Sequence, residues 1–269
     1  MSRRRLAAAV ALAALTGCAS GTPSALRPMD ADSAAKGYLA PAVIARLAAA
    51  VPPPSAPASP AALADRAASE RYRALEDGDR WLLATAHAEL SPPEAAQHFD
   101  CALGVRFASA DTPALTRIMN RLLHDIEGAA SITKARDFRP RPVGADPERR
   151  SCQRLTPASR ASASYPSSSA SAGAAYGELM ADLAPDRAAE ARRIGREIGL
   201  SRIVCGMHYP ADVAAGAALG EAVWREARAT PRFAAEAEAA RAEVAAARRA
   251  GLTNPGCASE RLALATPLP

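Results

Sequence analysis

Apolar residues recur along this chain at helical rather than strand spacing. After Thr112-Pro113, the positions Leu115, Ile118, Met119, Leu122, Leu123 and Ile126 keep the i, i+3, i+4 rhythm that gathers apolar side chains on one helix face. Proline marks further starts, because the first helical turn has no use for the N–H that proline lacks. Pro185-Asp186 opens a helix towards Ile198, and Pro210-Ala211 opens one through Leu219, Val223 and Trp224. Pro231 opens a last Ala/Glu/Arg-rich helix to about Arg249, read as a solvated face or a packing arm. Ser91-Pro92-Pro93-Glu94 supplies an N-cap, a first-turn proline and a capping-box acid for another, and residues 172–183 also read as helix. No stretch alternates as a strand would and none repeats, so the predicted class is an all-α helical bundle. Alanine-rich faces let such helices approach closely with few aromatics between them. Two stretches break the pattern. Residues 51–60 hold five prolines in ten positions and predict a loop or polyproline segment, and residues 143–164 predict a Ser/Ala-rich loop.

The first residues read as an export signal rather than as part of the fold. Arg3, Arg4 and Arg5 precede the apolar run 6–15, which is too short to span a bilayer. Leu15-Thr16-Gly17-Cys18 then resembles a bacterial lipobox, which predicts cleavage after residue 17 and lipidation of Cys18. Ala19 follows, which by likeness to Gram-negative lipoproteins directs the chain to the outer membrane, facing the periplasm. The predicted organisation is a signal peptide over 1–17, a flexible tether over 18–36, one domain over 37–250 and a C-terminal tail over 251–269. The net charge of +5 falls to +2 once the three arginines of the signal are removed, so charge gives no reason to invoke nucleic acid.

Four cysteines remain: Cys101, Cys152, Cys205 and Cys257. An even number in an exported chain predicts two disulfides, for which three connectivities exist. The pairs Cys101–Cys152 and Cys205–Cys257 are favoured, since each would tie down a segment beside the motifs described next. No CxxC or neighbouring histidine gives a metal-ligand spacing, and no metal or cofactor is expected.

Three short stretches concentrate the chemistry: Lys134-x6-Arg141-Pro142, Tyr165-Pro166-Ser167 and Ser201-Arg202-x5-His208-x3-Asp212. Lys134, Arg141 and Arg202 can balance the charge of a phosphate group, and guanidinium forks suit its oxygens. Ser167 adds a hydroxyl, and the amides of the turn at Ser168 lie just before an apparent helix, where backbone N–H groups bind anions. His208 and Asp212 stand at i and i+4, which on a helix faces both to one side. A carboxylate there keeps one imidazole nitrogen protonated and the other free to act as a nucleophile. His87, His98 and His124 lie outside these stretches and are assigned to core or surface.

These spacings resemble the three-part signature of the PAP2 superfamily, and the flanking Gly37-Tyr38-Leu39 and Asp100-Cys101-Ala102-Leu103-Gly104 are similar to its class A bacterial non-specific acid phosphatases. The resemblance implies the helical fold these enzymes share with vanadium haloperoxidases. It also implies a metal-independent phosphatase acting on small phosphomonoesters, with His208 as nucleophile and Asp212 as its orienter. One departure stands out. The family's middle motif reads Pro-Ser-Gly-His, whereas this chain has Pro166-Ser167-Ser168-Ser169. Ser169 thus replaces the histidine that protonates the leaving group and activates water, a function worth about 10²–10⁴-fold. The substitution predicts impaired turnover unless water, Tyr165 or Tyr209 supplies the proton. A phosphate-binding protein without turnover is the alternative; a vanadate-dependent peroxidase is disfavoured, because that branch also uses a histidine near the middle motif.

Overall fold

The computed structural model of the protein describes residues 36–269. The predicted signal, Cys18 and nearly all of the tether lie outside the described residues. Twelve α-helices make up the described fold. They are α1 (Pro41–Ala50), α2 (Pro60–Arg71), α3 (Asp79–Ala86), α4 (Asp100–Leu103), α5 (Pro113–Arg136) and α6 (Pro142–Ala145), followed by α7 (Pro157–Ala161), α8 (Ser168–Leu183), α9 (Ala188–Val204), α10 (Pro210–Arg228), α11 (Pro231–Arg249) and α12 (Cys257–Ala265). One isolated bridge, Pro140 to Ala163, is the only β-type pairing among the described residues. The all-α class is as expected. No described helix is long and apolar enough to cross a membrane.

The central helix is α8. Residues on every side of it are buried, among them Ala172, Ala175, Tyr176, Leu179 and Met180, as befits a helix enclosed by its neighbours. Glycine makes that enclosure tight. A Cβ on Gly195 of α9 would lie 2.5 Å from the Gly173 carbonyl oxygen, and one on Gly220 of α10 would lie 2.1 Å from that of Ser171. Helix α5 presents Leu115, Ile118, Met119, Leu122 and Ile126 to the same core, with Leu123 partly buried beside them. The Pro231 helix α11 is a packing arm. It buries Phe233, Ala237, Ala240, Val244 and Ala247, and the Glu243 carboxylate accepts the Ala114 and Leu115 N–H groups, both at 2.9 Å. That bond replaces the Thr112 cap, whose side chain makes no capping contact.

Several local expectations are corrected. Ser91-Pro92-Pro93-Glu94 leads into a 3₁₀ segment, Glu94–Phe99, rather than an α-helix, because the Ala96 amide bonds back only three residues to the Pro93 carbonyl. The helix predicted from 172 begins at Ser168, and the loop 143–164 contains the short helix α7. The cysteine pairing also differs: the bonds are Cys101–Cys257 and Cys152–Cys205. Residues 251–269 include α12, which packs on α3 and α4 and so brings Cys257 to Cys101. The loop carrying Cys152 lies over the end of α9, where Cys205 caps the helix.

Candidate active site

Four helix ends meet at one side of the bundle. Lys134 sits in the last turn of α5, Ser167 caps the start of α8, Arg202 lies in the last turn of α9, and His208 and Asp212 flank the start of α10. Gly206 makes the turn between the last two possible. Its φ of +69° is a left-handed conformation, and an added Cβ would meet the Arg150 carbonyl at 2.8 Å. The chain then doubles back, with the Met207 and His208 amides both donating to the Arg202 carbonyl. His208 therefore precedes α10 instead of lying on it, which corrects the helical i, i+4 picture. The Asp212 carboxylate reaches back to the Tyr209 N–H at 2.8 Å, and this fold of the entering chain sets it near His208.

The three expected cations are neighbours. Lys134 Nζ donates to the Pro166 carbonyl at 2.6 Å. Arg141 donates from Nη1 to His208 Nε2 at 2.9 Å and to the Met207 carbonyl at 3.0 Å, and from Nε to Ser162 Oγ at 2.8 Å. Arg202 donates from Nη2 to Gln153 Oε1 at 2.6 Å, and its buried Nε has no partner among the described residues. Burial and then the charge of Arg141 bring Lys134 down to about 8, against a partial opposing effect of Asp212. The same two causes bring Arg202 down to about 10. Two buried cations held down further by the charge of a third mark a place short of negative charge. The N-terminus of α8 adds to the deficit. Ser167 Oγ accepts the Ala170 N–H, while the Ser168 and Ser169 amides open the helix with no intrahelical partner, and their side chains are half-buried.

His208 is 2 % exposed, and burial lowers its pKa to about 3, so the imidazole is uncharged at ordinary pH. An arginine has only donors, so its contact with Nε2 requires a lone pair there and places the ring proton on Nδ1. Asp212 is fully buried. Burial pushes its carboxyl up, but His208, Arg139 and Ser164 more than offset this and hold it below the usual range.

Sequence reasoning missed three residues here. Arg139 donates to Asp212 Oδ1 and to Asp65 Oδ2, each at 2.7 Å, and its guanidinium lies 4.0 Å from the Tyr209 ring centroid. Asp65 also accepts the Ala211 N–H at the start of α10. Ser164 Oγ donates to Asp212 Oδ2 at 2.6 Å. The pair Arg139-Pro140-Arg141-Pro142 was a visible signal for the first; nothing local marks Asp65, which is far away in sequence. Tyr165 is unsuited to deliver a proton, since its hydroxyl donates to the Pro52 carbonyl at 2.7 Å. His87 is buried against Ser201 Oγ at 2.9 Å, and His124 is half-exposed on α5.

Residues 125–234, which contain all these helix ends, match the model of the PAP2 superfamily. The chain is 32 % identical over 165 residues to an acid phosphatase of Zymomonas mobilis, covering 61 % of this chain and 62 % of that protein. It therefore spans less than two thirds of that relative's length. It is 28 % identical over 185 residues to a non-specific acid phosphatase of Salmonella typhimurium, covering 68 % of this chain and 74 % of the relative. A non-specific acid phosphatase of Providencia stuartii is 26 % identical over 200 residues, covering 72 % and 79 %.

Proposed function

We propose that the chain is a phosphomonoesterase acting on small soluble phosphoesters through a phosphohistidine at His208. The observation that carries this reading is the cluster of Lys134, Arg141 and Arg202 around an uncharged histidine whose Nε2 holds a lone pair. A phosphomonoester brings between one and two negative charges at neutral pH. It competes for the Arg141 fork and thereby uncovers Nε2. The lone pair attacks phosphorus, the bond to the leaving oxygen breaks as the N–P bond forms, and Asp212 stabilises the imidazolium. Water then attacks the phosphorus, the N–P bond breaks, and inorganic phosphate departs. All of these groups belong to the chain, so the reading calls for no metal. The relatives named acid phosphatase support the same reaction class.

Ser169 sets the limit on this reaction. It stands where the family places its second histidine, and its hydroxyl is a poor acid and base near neutrality. Without a proton donor the rate of phosphorylating His208 depends on how well the leaving group carries negative charge unaided. Hydrolysis of p-nitrophenyl phosphate is expected to exceed that of glycerol phosphate by a wide margin. Restoring the family pattern with Ser168→Gly plus Ser169→His should raise alkyl turnover by up to the ~10²–10⁴-fold of a general acid, and aryl turnover less. His208→Ala should abolish both, and reactions stopped in alkali, where an N–P bond survives, followed by mass spectrometry at alkaline pH should find phosphate on His208 in the wild type. Equal hydrolysis of both substrate classes, with no gain in the double variant, would show that another group supplies the proton.

The Ser169 substitution also favours a second reading, a phosphate-binding lipoprotein without turnover. It predicts a rise in Tm with phosphate and no release of nitrophenol. Export to the periplasm and anchoring through Cys18 complete the proposal, on the strength of the lipobox-like Leu15-Thr16-Gly17-Cys18. Intact-mass measurement of the membrane-extracted protein checks it: an acylated chain beginning at Cys18 is expected.

A further inference from the structure

We infer that Ser164 is a positioning residue that receives the Nδ1 proton of His208 and passes the hold on to Asp212, so that the nucleophile is oriented through a hydroxyl interposed between ring and carboxylate. The inference rests on His208 being the nucleophile and concerns how it is held.

The donor and acceptor inventory leads to this arrangement. Arg141 occupies Nε2 as a donor at 2.9 Å, so the single ring proton is on Nδ1 and needs an acceptor. The nearest Asp212 oxygen, Oδ2, is 3.8 Å from Nδ1, beyond hydrogen-bond range. Ser164 Oγ is closer, at 3.3 Å. Its own proton has one well-placed acceptor, Asp212 Oδ2 at 2.6 Å, and the Met207 carbonyl at 3.4 Å is a poorer one. The hydroxyl oxygen is thereby left with lone pairs for the Nδ1–H. Asp212 is already occupied: Oδ2 takes Ser164 and the Tyr209 N–H, and Oδ1 takes Arg139. Its role is to be a fixed, ionised acceptor for the serine. Ser164, His208 and Asp212 are all buried, so no bulk water competes for these bonds. Ser164 is itself anchored, because its amide donates to the Arg139 carbonyl at 2.7 Å, and that same arginine grips Asp212.

Two measurements test this, one of them independent of turnover. In ¹⁵N-labelled wild type, the Nδ1–H proton of His208 should resonate downfield and exchange slowly, as a hydrogen-bonded proton does, and Ser164→Ala should move it upfield and speed its exchange, while Arg141 keeps the tautomer the same in both. An Nδ1–H resonance and exchange rate unchanged in Ser164→Ala would overturn the inference. This result stands even if the protein proves not to be a phosphatase, which would instead appear as absence of phosphohistidine in every variant. In the enzymatic arm, Ser164→Ala should slow phosphorylation of His208 by about 10- to 100-fold, the range for losing a hydrogen bond to a group that becomes charged. The Kd for inorganic phosphate should stay the same, because the cation clamp is untouched. Ser164→Ala in an Asp212→Asn background should cost little more than Asp212→Asn alone, since both interrupt one relay. Additive losses, or a phosphate Kd that weakens in step with the rate, would mean that Ser164 is merely structural. Ser164→Thr keeps the hydroxyl and is the control should the alanine variant fold poorly; its Nδ1–H resonance and exchange rate should match the wild type.

Discussion

Lys134 carries the most pH-sensitive charge of the cluster. With its pKa brought to about 8 by burial and the nearby Arg141, it is protonated below that value and neutral above it. Phosphate binding favours the charged form, so affinity should be full below pH 8 and fall above it, by at most about tenfold per pH unit for one linked proton. Calorimetric titration with phosphate between pH 6 and 10 checks this, and Lys134→Met should give weaker binding without the alkaline decline. His208 works in the other direction. Its folded pKa of about 3 lies below the ordinary 6.5, so the unfolded chain takes up a proton that the folded one refuses. Stability is complete above about pH 6.5 and is lost as pH falls towards 3, at no more than about 1.4 kcal/mol per unit. His87, driven down first by burial and then by His98, adds to the same slope. Urea midpoints between pH 7 and 5 should fall less steeply in His208→Gln than in the wild type. For the proposed reaction the same shift is an advantage, because His208 stays unprotonated in acid.

Close helix contact through glycine is what brings the turn of the candidate site into place, and two glycines of α10 separate its effect on stability from its effect on the site. A methyl on Gly220 would press on the Ser171 carbonyl within α8; one on Gly216 would press on the Ser167 carbonyl at 2.3 Å, at the helix cap that faces the candidate site. Gly220→Ala should cost about 1–3 kcal/mol, as overpacking does, and leave phosphate affinity unaffected. Gly216→Ala should cost a similar amount and also displace Ser167, lowering the rate; urea unfolding and steady-state kinetics on both variants distinguish the two. The helices themselves were legible, because a proline in the first turn and an apolar face are local signals, as at Pro113, Pro210 and Pro231. The geometry of their ends was not. Thr112 looks like a cap, yet Glu243 from a helix over a hundred residues away does the capping. His208 and Asp212 have helical spacing, yet their proximity comes from the chain's entry into α10 and from the φ > 0 turn at Gly206.

At the scale of the molecule, the site is held by contacts between residues distant in sequence, which is why it was only half legible. Lys134, Arg141, Ser167, Arg202, His208 and Asp212 stand out because their chemistry is concentrated in short motifs. Asp65, Arg139 and Ser164 do not, since only the tertiary fold makes them partners of Asp212. The cysteines illustrate the same point: evenness suggested two bonds, but which bonds depends on where α12 docks. The two bridges should behave differently. Cys101–Cys257 closes a separation of 156 residues and fastens α12 to α4, away from the cluster. Cys152–Cys205 closes 53 residues and fixes the segment whose Gln153 holds Arg202. Loop-closure entropy alone assigns about 5 and about 4 kcal/mol to them, so stability barely distinguishes the pair. Activity should. Cys101→Ser with Cys257→Ser should lower the urea midpoint while leaving kcat and the phosphate Kd near wild type under native conditions. Cys152→Ser with Cys205→Ser should also loosen Gln153 from Arg202 and change the phosphate Kd. If the distal pair altered the Kd and the proximal pair did not, the Cys152 segment would have no part in setting the clamp, and Arg202 would be held by α9 alone.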